Sequence, residues 1–158
     1  MSMQYLMILQ ESLKKKIDVL DEIIRISQNQ SEILARSPID YEEFDRCVDD
    51  KDICIVQLNT LDEGFESLYA KVSAEIQDNR QKYASWIKEC QGLITTITDK
   101  SVEIQALEAR NKQAVEESVR KSRKNFGNGK RSVEVVSSYR RNMNFTNVAQ
   151  SHFMDQKK

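Results

Sequence analysis

The sequence predicts an all-α protein, an up-down antiparallel bundle of three long helices (possibly four) with a flexible basic C-terminal tail. Apolar residues recur three or four positions apart along three successive stretches, which is the spacing of amphipathic helices. Charged residues make up 31% of the 158 residues, and the chain has one proline and four glycines. This composition is typical of long solvated helices in a single domain.

The first predicted helix carries its apolar residues on one stripe and ends at Ser37-Pro38, because proline disfavours helical backbone in the residue before it. Asp40 then resembles an N-cap, and Glu43 three places later completes a pattern like a capping box. The stripe consists of Leu6, Leu9, Leu13, Ile17, Leu20, Ile23 and Ile24.

The second and third helices meet where neither glycine nor proline marks a turn. One unbroken helix of about 80 residues would be about 120 Å long, with most of its apolar stripe uncovered. We therefore expect a turn near Asp78-Asn79, with a break near Asn59 and a fourth helix as the alternative. The second stripe is Phe44, Val48, Lys51, Ile55, Leu58, Leu61, Phe65, Leu68, Val72 and Ile76, and the third is Tyr83, Ile87, Cys90, Ile94, Ile97, Ile104 and Val115.

Polar residues interrupt all three stripes at about the same height of the predicted bundle. The interruptions are Ser27 to Ser31 in the first helix, Lys51 in the second, and Ser101, Glu108 and Asn111 in the third. We expect a polar layer in which Lys51 meets Glu103 or Glu108. Such a layer either fixes the register of the helices, as in coiled coils, or marks an end that opens for a partner helix.

The charge of the chain is unevenly distributed. Residues 1–119 contain 14 Lys and Arg against 23 Asp and Glu, whereas residues 120–158 contain 10 against 2. We expect residues 1–123 to form the bundle and residues 124–158 a basic, largely disordered tail that binds a client or partner.

The sequence gives no support for catalysis or metal binding. It lacks a phosphate-binding glycine loop and the common catalytic motifs, so we expect no enzyme activity, cofactor or small-molecule ligand. Cys47, Cys54 and Cys90 form no CxxC pair, and the single His152 stands apart from them. An odd number of cysteines points to reduced thiols in the cytosol. We find no signal peptide and no membrane span, and expect a cytoplasmic protein.

Apolar residues of the tail are spaced so that they can form an amphipathic helix on binding. Val133, Val136, Tyr139 and Met143 follow one another at intervals of three or four. A segment that folds on binding loses conformational entropy, which keeps its affinity for the client modest. A modest affinity allows the client to be released. The expected client-binding residues are Val115, Val119, Val133, Val136, Met143 and Phe145.

Several stretches resemble the FlgN-type flagellar export chaperones of Gram-positive bacteria. Leu61-Asp62-Glu63-Gly64-Phe65 is similar to that family's mid-chain segment, and the stretch 104–111, Ile-Gln-Ala-Leu-Glu-Ala-Arg-Asn, to the part before its basic tail. The opening helix and the tail are similar as well, at Tyr5-Leu6, Leu13, Lys16-Ile17, Leu20, Tyr139, Met143 and Phe153-Met154-Asp155-Gln156-Lys157-Lys158.

The resemblance implies an all-helical cytosolic chaperone of the hook–filament junction (hook-associated) proteins. The family is thought to hold their terminal helices, largely with its C-terminal part, and to deliver them to the export gate. In related chaperones a tyrosine beyond the last bundle helix is thought to dock on the cytoplasmic domain of that gate, and the resemblance implies this role for Tyr139. The alternatives are that Tyr139 folds back onto the bundle or binds the client. Any contact with the membrane would then be indirect, through the export apparatus.

Two other functions remain open from the residues alone. A coiled-coil adaptor unrelated to export would share the bundle, and only client binding separates the two. Nucleic acid could bind the basic residues of the tail, with Phe126 or Tyr139 stacking on bases. We do not expect it, because the acidic body would repel a nearby phosphate backbone. The basic residues are Arg120, Lys121, Arg123, Lys124, Lys130, Arg131, Arg140 and Arg141.

Overall fold

The computed structural model describes residues 3–124, and these form three α-helices without a strand. They are α1 (Met3–Leu34), α2 (Tyr41–Asp78) and α3 (Ala84–Lys124). The predicted all-α class with three long helices is confirmed. The alternative of a break near Asn59 is wrong, since α2 continues through that residue and through Gly64. The predicted basic tail lies outside the described residues.

Side chains cap both ends of α2. The carboxylate of Asp40 accepts hydrogen bonds from the backbone N–H groups of Glu42 and Glu43, both at 3.1 Å, so Asp40 is the N-cap of α2. The carboxylate of Glu43 accepts a bond from Arg36 at 2.8 Å rather than closing a capping box. At the predicted turn, the amide of Asn79 donates to the carbonyl of Glu75 at 2.9 Å. Asn79 thus ends α2 without glycine or proline.

Helix α1 packs against both other helices and runs through the middle of the bundle. Lys16 of α1 contacts Asp62 of α2, while Ser27 further along α1 contacts the earlier Lys51, so α1 and α2 are antiparallel. Over the described length, the backbones of α2 and α3 do not come close to each other. Helices α1 and α3 run parallel, as shown by the contacts Gln10–Glu89, Asp21–Lys100 and Ser27–Glu108.

Each helix contributes a seam, by which we mean buried or half-buried positions that alternate three and four residues apart. The structure corrects the predicted stripes at three positions. Lys16 is buried where Ile17 was expected, Asp62 is buried where Leu61 was expected, and the alternating spacing passes through Tyr69 where Leu68 was expected. The seam is Leu6, Leu9, Leu13, Lys16, Leu20, Ile23, Ser27 and Gln30 in α1, then Phe44, Val48, Lys51, Ile55, Leu58, Asp62, Phe65, Tyr69, Val72 and Ile76 in α2. It continues with Tyr83 before α3 and with Ile87, Cys90, Ile94, Ile97, Ser101, Ile104, Glu108, Asn111, Val115 and Ser118 within it.

Candidate functional site

One polar residue from each helix meets in a buried layer near the α1–α2 connection. The ammonium of Lys51 is fully buried and lies 2.5 Å from Oε1 of Glu108. It also donates to the hydroxyl of Ser27 at 3.3 Å, and that hydroxyl donates to Glu108 at 2.9 Å. The layer links α2 to α3 through the centre of the bundle, where their backbones do not touch.

The polar contacts continue one turn further along α1 and α3. The side-chain amide of Asn111 donates to the backbone carbonyl of Ser27 at 2.9 Å. The hydroxyl of Ser31 lies 2.6 Å from Oδ1 of Asn111, to which it donates. Near the end of α3, the hydroxyls of Tyr41 and Ser118 are also hydrogen bonded. A ladder of polar contacts therefore runs from Ser27 to the α1–α2 connection.

The predicted layer residues divide between the core and the surface. Lys51 and Glu108 are both buried and paired, whereas Glu103 is exposed. The physical reason is helical geometry, because Glu103 directly precedes the seam residue Ile104 and points about 100° away from it. Glu103 is therefore not part of the polar layer.

Gln30 adds a buried amide that no hydrogen bond satisfies in the described structure. Its side chain is fully buried on the seam of α1, and neither Nε2 nor Oε1 has a partner. By the register of the Ser31–Asn111 contact, it lies about level with Asn111. Leaving a buried polar group unsatisfied costs about 1–3 kcal/mol. The helices at this end of the bundle are thus held in part by buried polar groups, and burying the amide of Gln30 lowers the stability of the closed bundle.

A second buried ion pair, which the sequence analysis missed, lies between α1 and α2. Nζ of Lys16 is 2.7 Å from Oδ1 of Asp62, and each residue is 4% exposed. The strict alternation of three and four residues along the seam passes through Lys16 and Asp62, and this spacing could have predicted their burial. The sequence analysis placed Ile17 and Leu61 on the stripes instead, because each is an apolar residue one position away.

Burial shifts the pKa of charged groups and thiols in the core. It lowers the pKa of Lys51 and of Lys16, and the paired carboxylates only partly oppose the shift. All three cysteines are free and buried, as expected for reduced thiols. Burial raises the pKa of Cys47 and Cys54, and it raises that of Cys90 to about 12. Such protonated thiols are poor nucleophiles.

Two predicted client-binding residues lie in the core rather than on the surface. Val115 is 2% exposed and Val119 is 8% exposed, and both pack in the main apolar cluster with Ile33 and Phe44. A client reaches these valines only if the end of α3 moves. The other predicted contacts, Val133, Val136, Tyr139, Met143 and Phe145, lie outside the described residues.

An open apolar groove of about 550 Å³ lies between the first half of α1 and the middle of α2. Met7 and Ile8 line one wall and are 62% and 49% exposed. Leu61 and Phe65 line the other wall beside Gly64, where an added Cβ would meet no atom within 4 Å. The groove gives the described part of the chain an apolar surface that is open without rearrangement.

Residues 3–124 contain no cluster of side chains arranged to hold a metal ion. Within the same residues, no helix combines the length and the hydropathy that a membrane crossing requires.

Comparisons with known proteins identify the family. Searches among curated proteins and among solved structures found no significant match. The family model described as "FlgN protein" matches residues 1–142, which include all three helices and the stretch through Tyr139. This match covers most of the chain, and the protein belongs to the FlgN family.

Proposed function

We propose that this protein is a cytosolic chaperone that binds hook–filament junction proteins and delivers them to the flagellar export gate. Membership of the FlgN family implies a flagellar export chaperone, and the match over residues 1–142 is the observation that carries the proposal. The same match favours the chaperone over an unrelated adaptor or a nucleic-acid-binding protein.

The proposed client surface combines the end of α3 with the tail. Its residues are Val115, Val119, Val133, Val136, Met143 and Phe145, and an amphipathic terminal helix of the client packs against them. The tail orders as it binds, which keeps the affinity modest and allows release at the gate. In this proposal residues 1–123 fold without residues 124–158.

Tyr139 is the proposed contact with the cytoplasmic domain of the export gate. It is the only tyrosine after Tyr83 and falls within the family match. A tyrosine offers a large apolar ring and a polar hydroxyl, and the loss of such an anchor can cost about 2 kcal/mol or more. Tyr139→Ala therefore weakens gate binding and motility while client binding stays nearly intact. Equal loss of client binding would return Tyr139 to the client surface.

Calorimetric titration of purified junction proteins into this protein tests the proposal. The full chain binds at least one of them, and a chain ending at Lys124 binds about 10-fold or more weakly, since it lacks four of the six proposed contacts. The shortened chain keeps its cooperative thermal melt, which serves as the control for folding. Absence of binding by the full chain contradicts the proposed function. Loss of the cooperative melt contradicts the division between bundle and tail.

A further inference from the structure

The two parts of α3 differ in how they are held. From Tyr83 to Ile97 the seam is entirely apolar or aromatic, whereas four of the six seam positions from Ser101 to Ser118 are polar. The four are Ser101, Glu108, Asn111 and Ser118. Outside the seam, Leu107 and Val119 are buried in the later part, and Trp86 and Leu93 are half-buried in the earlier one. Apolar side chains are therefore more widely spaced from residue 101 to residue 119 than from residue 83 to residue 97. Since apolar burial supplies most of the free energy that holds a helix in a bundle, the later part of α3 is held less strongly per turn.

Polar groups buried at this end of the bundle further weaken the packing of the later part of α3. Lys51 and Glu108 lose their hydration on burial, and a buried ion pair often stabilises a fold no better than apolar side chains of the same size. Gln30 stays unsatisfied as long as the bundle is closed and regains hydrogen bonds with water when it opens. Local opening of this end therefore rehydrates the buried charges and the amide of Gln30, which lowers the free energy needed for opening.

Opening would uncover a face that is built to receive a helix. On α3 it exposes Val115 and Val119, and on α1 and α2 it exposes Ile33 and Phe44, all of which belong to one apolar cluster. In the closed protein this face is covered by an amphipathic helix with heptad spacing, namely α3 itself. A second helix with the same spacing of apolar residues fits the same face.

The charge of Lys51 restricts which client helices can bind to the uncovered face. When Glu108 departs, the ammonium of Lys51 loses its closest carboxylate, which lies 2.5 Å away in the closed state. An incoming helix that is apolar at that level would bury Lys51 without the carboxylate that pairs with it in the closed state. A helix that carries Asp or Glu at that seam position restores the ion pair.

We infer that residues 101–124 of α3 open locally as a unit, and that the uncovered face takes an amphipathic client helix with a carboxylate at one seam position. The inference rests on the proposed function for the identity of the client. It explains how Val115 and Val119 are buried in the free protein and still contact the client. The client binds only the open fraction, so its apparent Kd equals the intrinsic Kd divided by that fraction.

Hydrogen exchange of the full chain tests the opening without any ligand. The amides of residues 101–121 exchange through a local opening, faster than those of residues 87–97, which exchange only with global unfolding. Gln30→Leu removes the unsatisfied amide and slows exchange of residues 101–121 by about 10-fold, and Ser101→Ala acts in the same direction. The matched control is Lys16→Met with Asp62→Leu, which replaces the other buried ion pair and leaves this local opening unchanged. Uniform exchange along α3 overturns the inference.

Titration with a purified hook–filament junction protein tests the client part. Ser101→Ala changes the departing helix α3 and not the uncovered face, so it raises the apparent Kd by the same factor by which it slows the exchange. The Lys16→Met, Asp62→Leu control leaves the Kd unchanged. An unchanged Kd in Ser101→Ala with slowed exchange overturns the client part, and loss of binding in Ile8→Asp then assigns the client to the open groove instead. If no junction protein binds the wild type, the proposed function and the client part both fail, while the exchange data still decide the opening.

The carboxylate is tested on synthetic terminal peptides of the junction protein that binds. Replacement of one particular Asp or Glu by Gln weakens binding to the wild type by about 100-fold or more, since it buries Lys51 without the carboxylate that takes the place of Glu108. The same replacement has little effect on binding to Lys51→Met. Equal losses for both proteins, or no loss for any replacement, overturn the role of Lys51 in selecting the client.

Discussion

The two ends of the bundle are built from different kinds of side chain. At the end near the α2–α3 turn, Leu6 and Leu9 of α1 pack with Val72, Ile76 and Tyr83 in an apolar cluster. At the other end the polar layer interrupts the larger cluster. The apolar end gains its stability from burial that depends little on direction, whereas the polar layer works only when three particular side chains meet. Apolar burial therefore contributes stability at both ends, and at one end the polar layer adds a constraint on the register of the helices.

The polar layer matters for register because heptad seams alone allow helices to slip. Sliding α2 by one heptad would bring Phe44 or Leu58 into the place of Lys51 and separate Glu108 from the ammonium with which it pairs. The Lys16–Asp62 pair imposes the same condition on α1 and α2 at a second level. Two buried pairs at different heights thus exclude neighbouring registers that apolar packing would tolerate.

The largest expected effect comes from breaking the layer on one side only. Glu108→Ala leaves the ammonium of Lys51 buried without its ion-pair partner and lowers the free energy of unfolding by about 3–5 kcal/mol. Replacing both partners, with Lys51→Met and Glu108→Leu, is neutral or stabilising because this layer then buries no charge. Urea unfolding followed by circular dichroism measures both. If the double variant is as unstable as the single one, the layer contributes stability and not mainly register.

The next effect concerns pH and the buried thiol of Cys90, which lies in the apolar part of α3. Its pKa is raised to about 12 in the folded state, so the folded protein keeps this proton where the unfolded chain has lost it. Its contribution is fully present below the ordinary thiol pKa near 9. It is then lost as the pH rises toward 12, by at most about 1.4 kcal/mol per pH unit.

Comparison of wild type with Cys90→Ala isolates this contribution, because Lys16 and Lys51 titrate in both proteins. Their lowered pKa acts in the opposite sense, so that their own contribution to stability increases with pH. We expect Cys90→Ala to lose less stability than wild type between pH 9 and 11 in urea unfolding. Parallel pH profiles would show that the thiol is less shielded than its burial indicates.

The smallest effect separates helix propensity from binding in the open groove. Gly64→Ala meets no atom within 4 Å, so it should stabilise α2 by up to about 1 kcal/mol. Gly92→Ala in α3 is the matched control, since an added Cβ there also meets nothing. Thermal unfolding should show a similar gain for both. A loss of client affinity for Gly64→Ala but not for Gly92→Ala would mean that a partner helix approaches closely at Gly64.

Periodicity was enough to predict the elements but not the complete set of buried charges. The turn after Asp78, the N-cap at Asp40 and the place of Lys51 all follow from local spacing and from counting residues along helices. Lys16 and Asp62 escaped, because their burial depends on a partner 46 residues away and each lies beside an apolar residue. Glu103 was wrongly predicted to belong to the polar layer. Counting residues gives the height of a side chain along the helix, but it does not show whether that side chain faces the other helices.

Gln30 shows a further limit of sequence patterns. A glutamine at a seam position resembles any other polar residue of the Ser27 to Ser31 stretch, and only the packed structure shows that its amide lacks a partner. A layer that only fixes the register has hydrogen-bond partners for all of its polar groups. The unsatisfied amide of Gln30 instead makes closure of this end of the bundle less favourable. If residues 101–124 open as we infer, the layer can both fix the register of the closed bundle and mark the end that opens for a partner helix.

The most direct test of the central claim is the salt dependence of binding by the full chain. We expect a purified hook–filament junction protein to bind with an affinity that changes little between 50 and 200 mM salt, because apolar area dominates the contact. Nucleic acid held by six to ten basic groups would instead lose about 10³–10⁵ in affinity over that range. Junction-protein binding with a flat salt profile is the result this account predicts. Tight DNA or RNA binding with a steep profile, and no junction-protein binding, would contradict it.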